Sequence, residues 1–400
     1  MSSRRLVIIG NGMAATRLLD ELVARDARRF AVTVIGEEAA AGYNRIMLSP
    51  WLAGEKSRSE LITHPRDWYE QHGISLLGGD PAAAIDTDQQ CVITESGARI
   101  DWDQLVIATG SRAAMLPIPG SRLGNVLCFR TLDDAQRMQQ FARRGGNAVV
   151  IGGGLLGLEA AYGLNRLGMQ VSVVHNGDWL MNRQLDEEAG NRLAESLRQR
   201  GIAVHVACNS HAFVGSGNVE GLQLADGTVL PCSLAIVGIG ITPEISLARS
   251  AGLHCERAII TDTLMRTSVE NISALGECCQ ISGELFGMIA PIYQQARVLA
   301  RRLCGEETEG YQAEVLPTRL KVSGVDVFSA GDLMSLQECR TLVWRDPKLS
   351  HYKRLWLRDG RLVAVVLFGD ASDGGAYFDL IQQGKRIADP AALLFGEVAA

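Results

Sequence analysis

The chain has 400 residues, of which 47% are hydrophobic, with 43 glycines and a formal net charge of −6 at pH 7. This length provides two or three globular domains with sizeable cores, and the glycine content favours α/β architecture. The 39 basic residues are scattered along the chain, which argues against a nucleic-acid or membrane-surface partner.

The N-terminal stretch MSSRRLVIIGNG has four apolar residues before its first glycine, far fewer than the core of a signal peptide. No stretch approaches the roughly 18 to 20 uninterrupted apolar residues of a membrane span. We therefore expect a soluble, cytoplasmic protein. The nine cysteines form no CxxC pair, so we expect reduced thiols and no metal site in this chain.

Residues 6–16, LVIIGNGMAAT, predict a first dinucleotide-binding turn. A short apolar strand leads into Gly10, Gly12 and Ala15, and the following residues have helical spacing. Glycine is needed at the first two positions because a side chain would block the approach of a pyrophosphate to the helix N-terminus. The next strand, FAVTVIGEE, reaches Glu37, 27 residues after Gly10, where a carboxylate can accept a hydrogen bond from a ribose.

Residues 147–175 repeat this arrangement. NAVVIGGG leads into Gly152, Gly154 and Gly157, LEAAYGLNRLG supplies a helix, and the strand QVSVVH ends at His175. The two turns are 142 residues apart, which is too far for two halves of one Rossmann sheet. The spacing predicts one dinucleotide domain inserted in another, and two bound dinucleotides.

Two further strands match each other. WDQLVIATGSR and CSLAIVGIGITPE each end in a small, glycine-bearing segment, around Gly110 and Gly238, expected close to a cofactor. Each follows a segment typical of a hairpin, ESGARI or ADGTVL. The strand NISALGECC then ends at Gly276 and Glu277, and the helix PIYQQARVLARRLCG returns the chain to the first domain.

The character of the sequence changes at about Tyr311. The remaining residues predict a small sheet with a turn at Asp359–Gly360 and one helix near AYFDLIQQG. No catalytic constellation is evident there, so we expect an interface or support domain. The predicted divisions are residues 1–115 with 246–308, residues 116–245, and residues 309–400.

These motifs carry a family resemblance. The paired glycine turns, ATGS at a strand end, RTLDDA at 130–135 and ALGE at 274–277 resemble the pyridine nucleotide-disulfide oxidoreductase-like reductases that use FAD and NAD(P)H, including rubredoxin and ferredoxin reductases. The resemblance implies two Rossmann-like domains of the glutathione-reductase type and a small α+β C-terminal domain. It also implies FAD at the first turn and a nicotinamide dinucleotide at the second.

Four stretches narrow the resemblance: GYNRIMLS, WLMNRQLD, LKVSGVDVFSAGD and LFGDASDGGAYFDLI. They are similar to the flavin module of NADH-dependent nitrite reductase large subunits, and equally to the electron-transfer subunit of bacterial assimilatory nitrate reductases. The nitrite reductases continue into iron-sulfur and siroheme domains, whereas this sequence ends at LLFGEVAA. We therefore expect the nitrate reductase subunit, whose partner is a molybdenum-containing catalytic subunit or another iron-sulfur redox protein.

The resemblance also implies roles for individual residues. Those expected to hold FAD are Gly10, Gly12, Met13, Ala14, Ala15, Glu37, Asn44, Arg45, Thr109, Gly110, Arg130, Gly276 and Glu277. Those expected to hold the nicotinamide dinucleotide are Gly152, Gly154, Leu155, Leu156, Gly157, His175 and Gly238. Glu159 is the catalytic candidate, because in the family this glutamate approaches the nicotinamide. The alternative is that Glu159 is merely favoured by the helix dipole in a first turn.

The implied reaction is hydride transfer from the nicotinamide to FAD, followed by single-electron release to a partner. Rubredoxin or ferredoxin reductase, or a nitrite reductase component, is the alternative assignment. Disulfide reductases need a cysteine against the flavin, and residues 37–60 contain none. Cys278 and Cys279 are expected to be small buried thiols rather than redox-active groups. An NADH-sensing flavoprotein shares every glycine motif and stays open as a non-enzymatic alternative.

The choice of coenzyme depends on the end of the second strand of the repeated unit. An acid there repels the 2′-phosphate of NADPH, and an arginine attracts it. The segment VVHNGD has His175, then Asp178, and no cation before Arg183. We therefore expect NADH rather than NADPH.

Overall fold

The computed structural model describes residues 3–313, 317–322 and 324–395. The chain divides into two compact units. The first contains the N-terminal residues up to Trp51, then Lys56–Ala113 and the segment that begins at Ile241. The second contains Leu52–Glu55, Ala114–Gly240 and the described part of the C-terminal segment. Among the described residues, no helix is both long enough and apolar enough to cross a membrane.

The first part of the chain, up to Ala113, alternates strands and helices. Its strands are β1 (Arg4–Ile9), β2 (Phe30–Gly36), β3 (Gly42–Tyr43), β4 (Ile62–His64), β5 (Ser75–Gly78), β6 (Ala82–Asp86), β7 (Cys91–Thr94), β8 (Arg99–Asp101), β9 (Gln104–Ile107) and β10 (Ser111–Ala113). Its helices are α1 (Met13–Asp26), α2 (Leu48–Leu52), α3 (Arg58–Leu61) and α4 (Arg66–Gln71).

Residues 114–240 repeat the alternation. The strands are β11 (Val126–Cys128), β12 (Asn147–Ile151), β13 (Gln170–Val174), β14 (Ala203–His205), β15 (Ser210–Val214), β16 (Gly221–Leu224), β17 (Val229–Pro231) and β18 (Leu234–Val237). The helices are α5 (Leu132–Ala142), α6 (Leu155–Arg166) and α7 (Glu187–Gln199).

After residue 240 the chain completes the first unit and then adds to the second. The strands are β19 (Ile241–Pro243), β20 (Ile259–Thr261), β21 (Ile272–Ala274), β22 (Cys279–Ile281), β23 (Glu284–Leu285), β24 (Thr318–Val322), β25 (Val325–Gly331), β26 (Arg340–Asp346), β27 (His351–Arg358) and β28 (Arg361–Phe368). The helices are α8 (Ser246–Ser250), α9 (Ile289–Cys304) and α10 (Gly374–Gln383).

The first unit is built on a parallel sheet in the order β21-β9-β1-β2-β5. Residues Leu6–Ile9 of its central strand are fully or almost fully buried, as expected for a parallel strand covered on both faces. Helices α1 and α9 pack against each other through apolar residues that join this core. The hairpin strands β6-β7-β8 form a separate antiparallel sheet.

The second unit contains its own parallel sheet, in the order β11-β18-β12-β13-β14. The two glycine turns therefore follow the central strands of two different sheets, as their spacing predicted. Strands β15-β16-β17 form the second antiparallel side sheet. Each unit thus contains one five-stranded parallel sheet and one such three-stranded antiparallel sheet, which confirms the duplication inferred from the sequence.

The C-terminal segment forms an antiparallel sheet in the order β24-β25-β28-β27-β26. Helix α10 packs on this sheet, with Tyr377 fully buried in a core that includes Phe328 and Leu355. Asp359 and Gly360 both have positive φ, 52° and 73°, and connect β27 to β28 as a hairpin turn. The small sheet, the turn and the single packed helix are those predicted from the sequence. The quoted stretch LKVSGVDVFSAGD includes Ser323, which lies outside the described residues.

Candidate dinucleotide-binding sites

The first glycine turn joins β1 to α1 in the first unit. The N–H of Gly10 donates to the carbonyl oxygen of Ile35 at 2.7 Å. Gly10 has a φ of +109°, and a Cβ there would lie 2.2 Å from the carbonyl oxygen of Ala108, so no other residue fits. Gly12 is the N-cap of α1, with no capping hydrogen bond from a side chain and nothing within 4 Å of its Cβ position. The helix N-terminus is therefore open to an anion.

The second turn, between β12 and α6, has the same geometry. The N–H of Gly152 donates to the carbonyl oxygen of Val174 at 2.8 Å. Gly152 has a φ of +120°, and a Cβ there would lie 2.2 Å from the carbonyl oxygen of Gly238. Gly154 is the uncapped N-cap of α6, and nothing lies within 4 Å of its Cβ position. A Cβ at Gly157 would lie 2.1 Å from the carbonyl oxygen of Gly152, which explains glycine at the third position. The first unit has the fully buried Ala15 there.

The loop after β9 connects several residues that the sequence singled out in the first unit. The hydroxyl of Ser111 donates to the carboxylate of Glu277, and the hydroxyl of Thr109 donates to the carbonyl oxygen of Glu244 at 2.8 Å. Arg112 pairs with Glu37 at 3.3 Å and also with Glu244. The ATGSR segment thus brings the predicted ribose-binding acid and the predicted Gly-Glu pair to the same loop.

Gly276 lies against the start of α1. Its φ is +89°, and a Cβ there would lie 3.0 Å from the Cβ of Ala14. The N–H of Gly276 donates to Oε1 of Gln295 at 2.9 Å. Gln295 is fully buried, and its Nε2 has no hydrogen-bond partner among the described residues. An unsatisfied buried donor costs about 1–3 kcal/mol, so an acceptor on a bound molecule would stabilise it.

Cys278 and Cys279 are fully buried in the same region. The Sγ of Cys278 donates to the carbonyl oxygens of Leu275 and Ile107, and that of Cys279 to the carbonyl oxygen of Gly276. Burial raises the pKa of both thiols. Both thiols are buried and favoured in the neutral form, as expected from the sequence, and the absence of a redox role stays a prediction.

The side chains of the YNR segment, Tyr43–Arg45, form hydrogen bonds and an ion pair with residues nearby in the sequence. The Asn44 side chain accepts a hydrogen bond from the N–H of Ile46 at 3.1 Å and caps a short 3-10 turn, Arg45–Met47. Arg45 pairs with Glu38 at 2.8 Å, and the Tyr43 hydroxyl donates to the same carboxylate at 3.0 Å. The fold therefore uses Glu38 to hold Arg45, and Glu37 to hold Arg112.

His175 follows the last residue of β13 and packs on the second glycine turn. Its Nδ1 accepts a hydrogen bond from the N–H of Gly153 at 3.2 Å, which leaves the proton of a neutral ring on Nε2. Burial lowers the pKa of His175, so the neutral form is favoured. A Cβ at Gly153 would lie 2.7 Å from the histidine Cγ, so the ring and the turn are in direct contact.

Glu159 is the fifth residue of α6, one turn beyond the open N-terminus formed by Gly154, Leu155 and Leu156. The first turn of α6 contains no acidic residue. Glu159 therefore lies just beyond the first turn, and both interpretations of this residue stay predictions. Arg130 immediately precedes the Thr131 N-cap of α5 in the second unit, and its N–H donates to Asp134 at 2.9 Å.

Each unit thus presents one glycine turn that fits the pyrophosphate of a dinucleotide. The observations that carry this fit are the open Cβ positions at Gly12 and Gly154 and the two uncapped helix N-termini. Sequence reasoning did not single out Asn11, whose Oδ1 accepts from the Tyr69 hydroxyl at 2.7 Å and whose Nδ2 is buried without a partner among the described residues. It also missed Gln295, because one glutamine in an amphipathic helix gives no signal of burial.

Comparison with known proteins agrees with this geometry. The sequence model of the family described as "Pyridine nucleotide-disulphide oxidoreductase" matches residues 4–298, and that of the "Rubredoxin NAD+ reductase C-terminal domain" matches residues 317–385. The chain is 40% identical over 389 residues to a "Nitrite reductase [NAD(P)H]" of Bacillus subtilis (strain 168), covering 97% of this chain and 48% of that protein. It is 38% identical to the "Assimilatory nitrate reductase electron transfer subunit" of the same organism, covering 97% of this chain and 50% of the relative. The chain therefore spans about half the length of these curated relatives.

Relatives of matching length also exist. The "NADH-rubredoxin oxidoreductase" of Clostridium acetobutylicum is 26% identical, with 98% of both chains covered. The crystal structure of NADH:rubredoxin oxidoreductase from that organism superposes with a TM-score of 0.83 at 25% identity, covering 98% of this chain and 99% of that chain. A putidaredoxin reductase, solved in a covalent complex with putidaredoxin, superposes with a TM-score of 0.86 at 25% identity, covering 99% and 96% of the two chains.

Proposed function

The chain belongs to the pyridine nucleotide-disulphide oxidoreductase family, and we propose that it is an FAD-dependent NADH reductase that delivers electrons to a separate redox protein. The observation that carries the proposal is the repeated glycine turn, open at Gly12 in one unit and at Gly154 in the other. Two such turns fit an enzyme that binds a donor and a relay dinucleotide together. The domain divisions inferred from the sequence remain part of the proposal.

A bound FAD supplies the chemistry, since flavin accepts a hydride from a nicotinamide and releases its two electrons singly. Each NADH oxidised then yields NAD+, one proton and two reduced one-electron acceptors. The chain's own task is to bind and orient the cofactors. The residues assigned to FAD in the first unit include Gly10, Glu37 and Glu277, and those assigned to the nicotinamide dinucleotide in the second include Gly152 and Gly157.

Glu159 is the proposed neighbour of the nicotinamide, because it lies one helical turn from the open N-terminus of α6. Glu159→Ala should slow flavin reduction by NADH at least tenfold in rapid mixing, while the FAD content stays unchanged. Glu159→Gln tests the charge alone, and Glu195→Ala on the exposed face of α7 is the matched control. A normal rate in Glu159→Ala would remove the residue from the proposal.

The same experiment separates the enzyme from an NADH-sensing flavoprotein. A reductase bleaches its flavin within milliseconds to seconds of mixing with NADH and reoxidises when an acceptor is added. Slow bleaching with a long-lived charge-transfer complex would favour the sensor.

For the acceptor, we propose the molybdenum-containing catalytic subunit of an assimilatory nitrate reductase. Support comes from the 38% identity to a nitrate reductase electron-transfer subunit and from the quoted stretches WLMNRQLD and LFGDASDGGAYFDLI. NADH-driven nitrate reduction by the mixed proteins is the decisive assay. Transfer to rubredoxin or ferredoxin, but not to nitrate reductase, would favour the alternative. Reconstitution with siroheme domains would favour a nitrite reductase component.

We further propose NADH as the coenzyme and the cytoplasm as the compartment in which it is used. The His175 ring, whose lowered pKa favours its neutral form, provides no cation for a 2′-phosphate, and residues 176–182 between it and Arg183 contain no lysine or arginine. Comparison of kcat/KM for NADH and NADPH is the test, and comparable values would refute this preference.

A further inference from the structure

Three arginines meet at one end of the C-terminal sheet. Arg358 and Arg361 are direct partners across the β27–β28 hairpin, and Arg361 is the bridge partner of Arg386. Residues at directly paired positions project from the same face of a sheet. The three side chains line one open cavity of about 490 Å³, together with Asp359 and Val363. We call this surface the arginine cluster.

The arginine cluster is unfavourable for the isolated chain. Like charges at directly opposed positions in a sheet are destabilising. No carboxylate among the described residues forms an ion pair with Arg358, Arg361 or Arg386, although Asp359 lines the same cavity. Other cations of this segment are neutralised, such as Arg345 by Glu188. Asp359 lines the cavity and Asp332, in the loop between β25 and β26, interacts electrostatically with Arg358, so three guanidiniums share two nearby carboxylates and positive charge remains in excess.

One side chain of the arginine cluster is held in place by a backbone hydrogen bond. The Arg358 guanidinium donates to the carbonyl oxygen of Ser335 at 2.6 Å, which holds it beside the loop between β25 and β26. That loop carries Met334, whose side chain is 73% exposed. Arginine and methionine are both enriched at protein–protein interfaces. The arrangement has the composition of a docking surface.

The charge of the segment differs from that of the whole chain. Residues 317–395 contain eleven basic and nine acidic residues, whereas the complete chain has a net charge of −6. Three guanidiniums around an open cavity match clustered carboxylates, because each can bind a carboxylate through two hydrogen bonds. The same charge accelerates the encounter with an acidic partner at low ionic strength.

We propose that the arginine cluster docks an acidic surface of the protein that accepts the electrons. This inference rests on the proposed function, since it presumes a protein acceptor. It places the specificity for that acceptor in the C-terminal segment, outside both dinucleotide sites. The feature that this surface recognises on the partner is a cluster of carboxylates.

The test compares two protein acceptors of opposite charge, acidic rubredoxin and basic cytochrome c, with NADH as donor. Arg361→Glu and Arg386→Glu reverse one charge each in exposed side chains, and Lys348→Glu reverses an exposed charge in the turn at the opposite end of β27. At low salt we expect KM for rubredoxin to rise at least fivefold in the two arginine variants and to stay unchanged in Lys348→Glu. KM for cytochrome c should stay level or fall. The difference should disappear at about 0.5 M salt, where the Debye length is only about 4 Å.

Misfolding is separable, because a glutamate at position 361 faces Arg358 and replaces a repulsion with an attraction. We therefore expect Tm of Arg361→Glu to equal or exceed that of the unmodified protein. Equal effects of all three variants on transfer to the acidic acceptor would overturn the inference. Self-association abolished by the arginine variants would also overturn it, by assigning the cluster to a second copy of this chain. If rubredoxin accepts no electrons from the unmodified protein, the same comparison of variants is made with the nitrate reductase catalytic subunit as acceptor.

Stopped-flow reduction of the flavin by NADH distinguishes a failure of the proposed function from a failure of the docking inference. If NADH does not reduce the flavin, the proposed function fails. If NADH reduces the flavin at the same rate in all variants and the acceptor ignores the charge changes, only the docking inference fails.

Discussion

The Tyr352 hydroxyl donates a hydrogen bond to the Asp186 carboxylate at 2.6 Å, and Arg354 donates to the same oxygen at 3.0 Å. Tyr352 and Arg354 lie two residues apart on β27, and Asp186 is the N-cap of α7. Burial and the neighbouring carboxylate raise the pKa of Tyr352, so it stays a neutral donor. This contact fastens the C-terminal sheet to the start of a helix within the second unit.

Removal of the carboxylate should therefore be costly. Asp186→Ala leaves Arg354 without its partner, and we expect a loss of about 3 kcal/mol in unfolding free energy. This is the low end of the range for a broken buried pair, because the Arg354 side chain is 32% exposed. Arg345→Ala, which breaks the more exposed pair with Glu188, is the control and should cost less than about 1 kcal/mol. Denaturant midpoints measure both, and similar values for the two variants would contradict the assignment.

The open positions of the two glycine turns predict separable cofactor defects. A methyl group at Gly12 or Gly154 meets no protein atom within 4 Å, but it enters the space assigned to a pyrophosphate. Gly12→Ala should lower the FAD content of the purified protein, whereas Gly154→Ala should raise Kd for NADH at least tenfold with FAD retained. Both variants should keep the Tm of the cofactor-free protein. Gly157→Ala is the contrast, since its methyl would lie 2.1 Å from a carbonyl oxygen and should destabilise the fold.

His175 predicts a loss of stability in mild acid. Burial lowers its pKa below the ordinary value of 6.5, so below that pH the unfolded chain binds more protons than the folded one. Stability therefore falls as the pH falls from 6.5, with a slope of at most about 1.4 kcal/mol per pH unit. His175→Asn lacks the titration and should lose less stability between pH 7 and pH 5. Parallel stability curves for the two proteins would show that His175 does not titrate differently on folding.

Cys278 and Cys279 predict resistance to alkylation. Both thiols are fully buried with raised pKa values, and a reactive cysteine needs an accessible thiolate. Iodoacetamide at pH 8 should leave both unmodified in the native protein and modify both after denaturation, as read by peptide mass spectrometry. The less buried Cys339 is the internal control. Rapid modification of Cys279 in the native state would reopen a redox role for the pair.

The sequence was most informative where backbone geometry restricts residue choice. Gly10 and Gly152 were identifiable because a Cβ at either position would collide with a carbonyl oxygen of a neighbouring segment. The parallel sheets were predictable because strands covered on both faces are continuously apolar. The same rules made the Asp359–Gly360 hairpin predictable, since both residues require positive φ.

Contacts between distant side chains were not predictable in this way. Arg112 reaches Glu37 across 75 positions of sequence, and Tyr352 reaches Asp186 across 166. Nothing in local spacing distinguishes Glu37, which pairs with Arg112, from the adjacent Glu38, which pairs with Arg45. The arginine cluster was invisible for the same reason, because Arg386 joins Arg361 only through a bridge formed after α10.

The antiparallel pairing of β10 with β19 brings together the two ends of the segment inserted between them. Ala113 and Ile241, the last residue of one strand and the first of the other, are direct partners in that two-stranded ladder. Because a two-residue hairpin loop can connect such a pair, one tight turn could replace the 127 residues 114–240 that now connect the two strands. Another module could therefore be joined to the first unit at this junction without interruption of a strand of its parallel sheet.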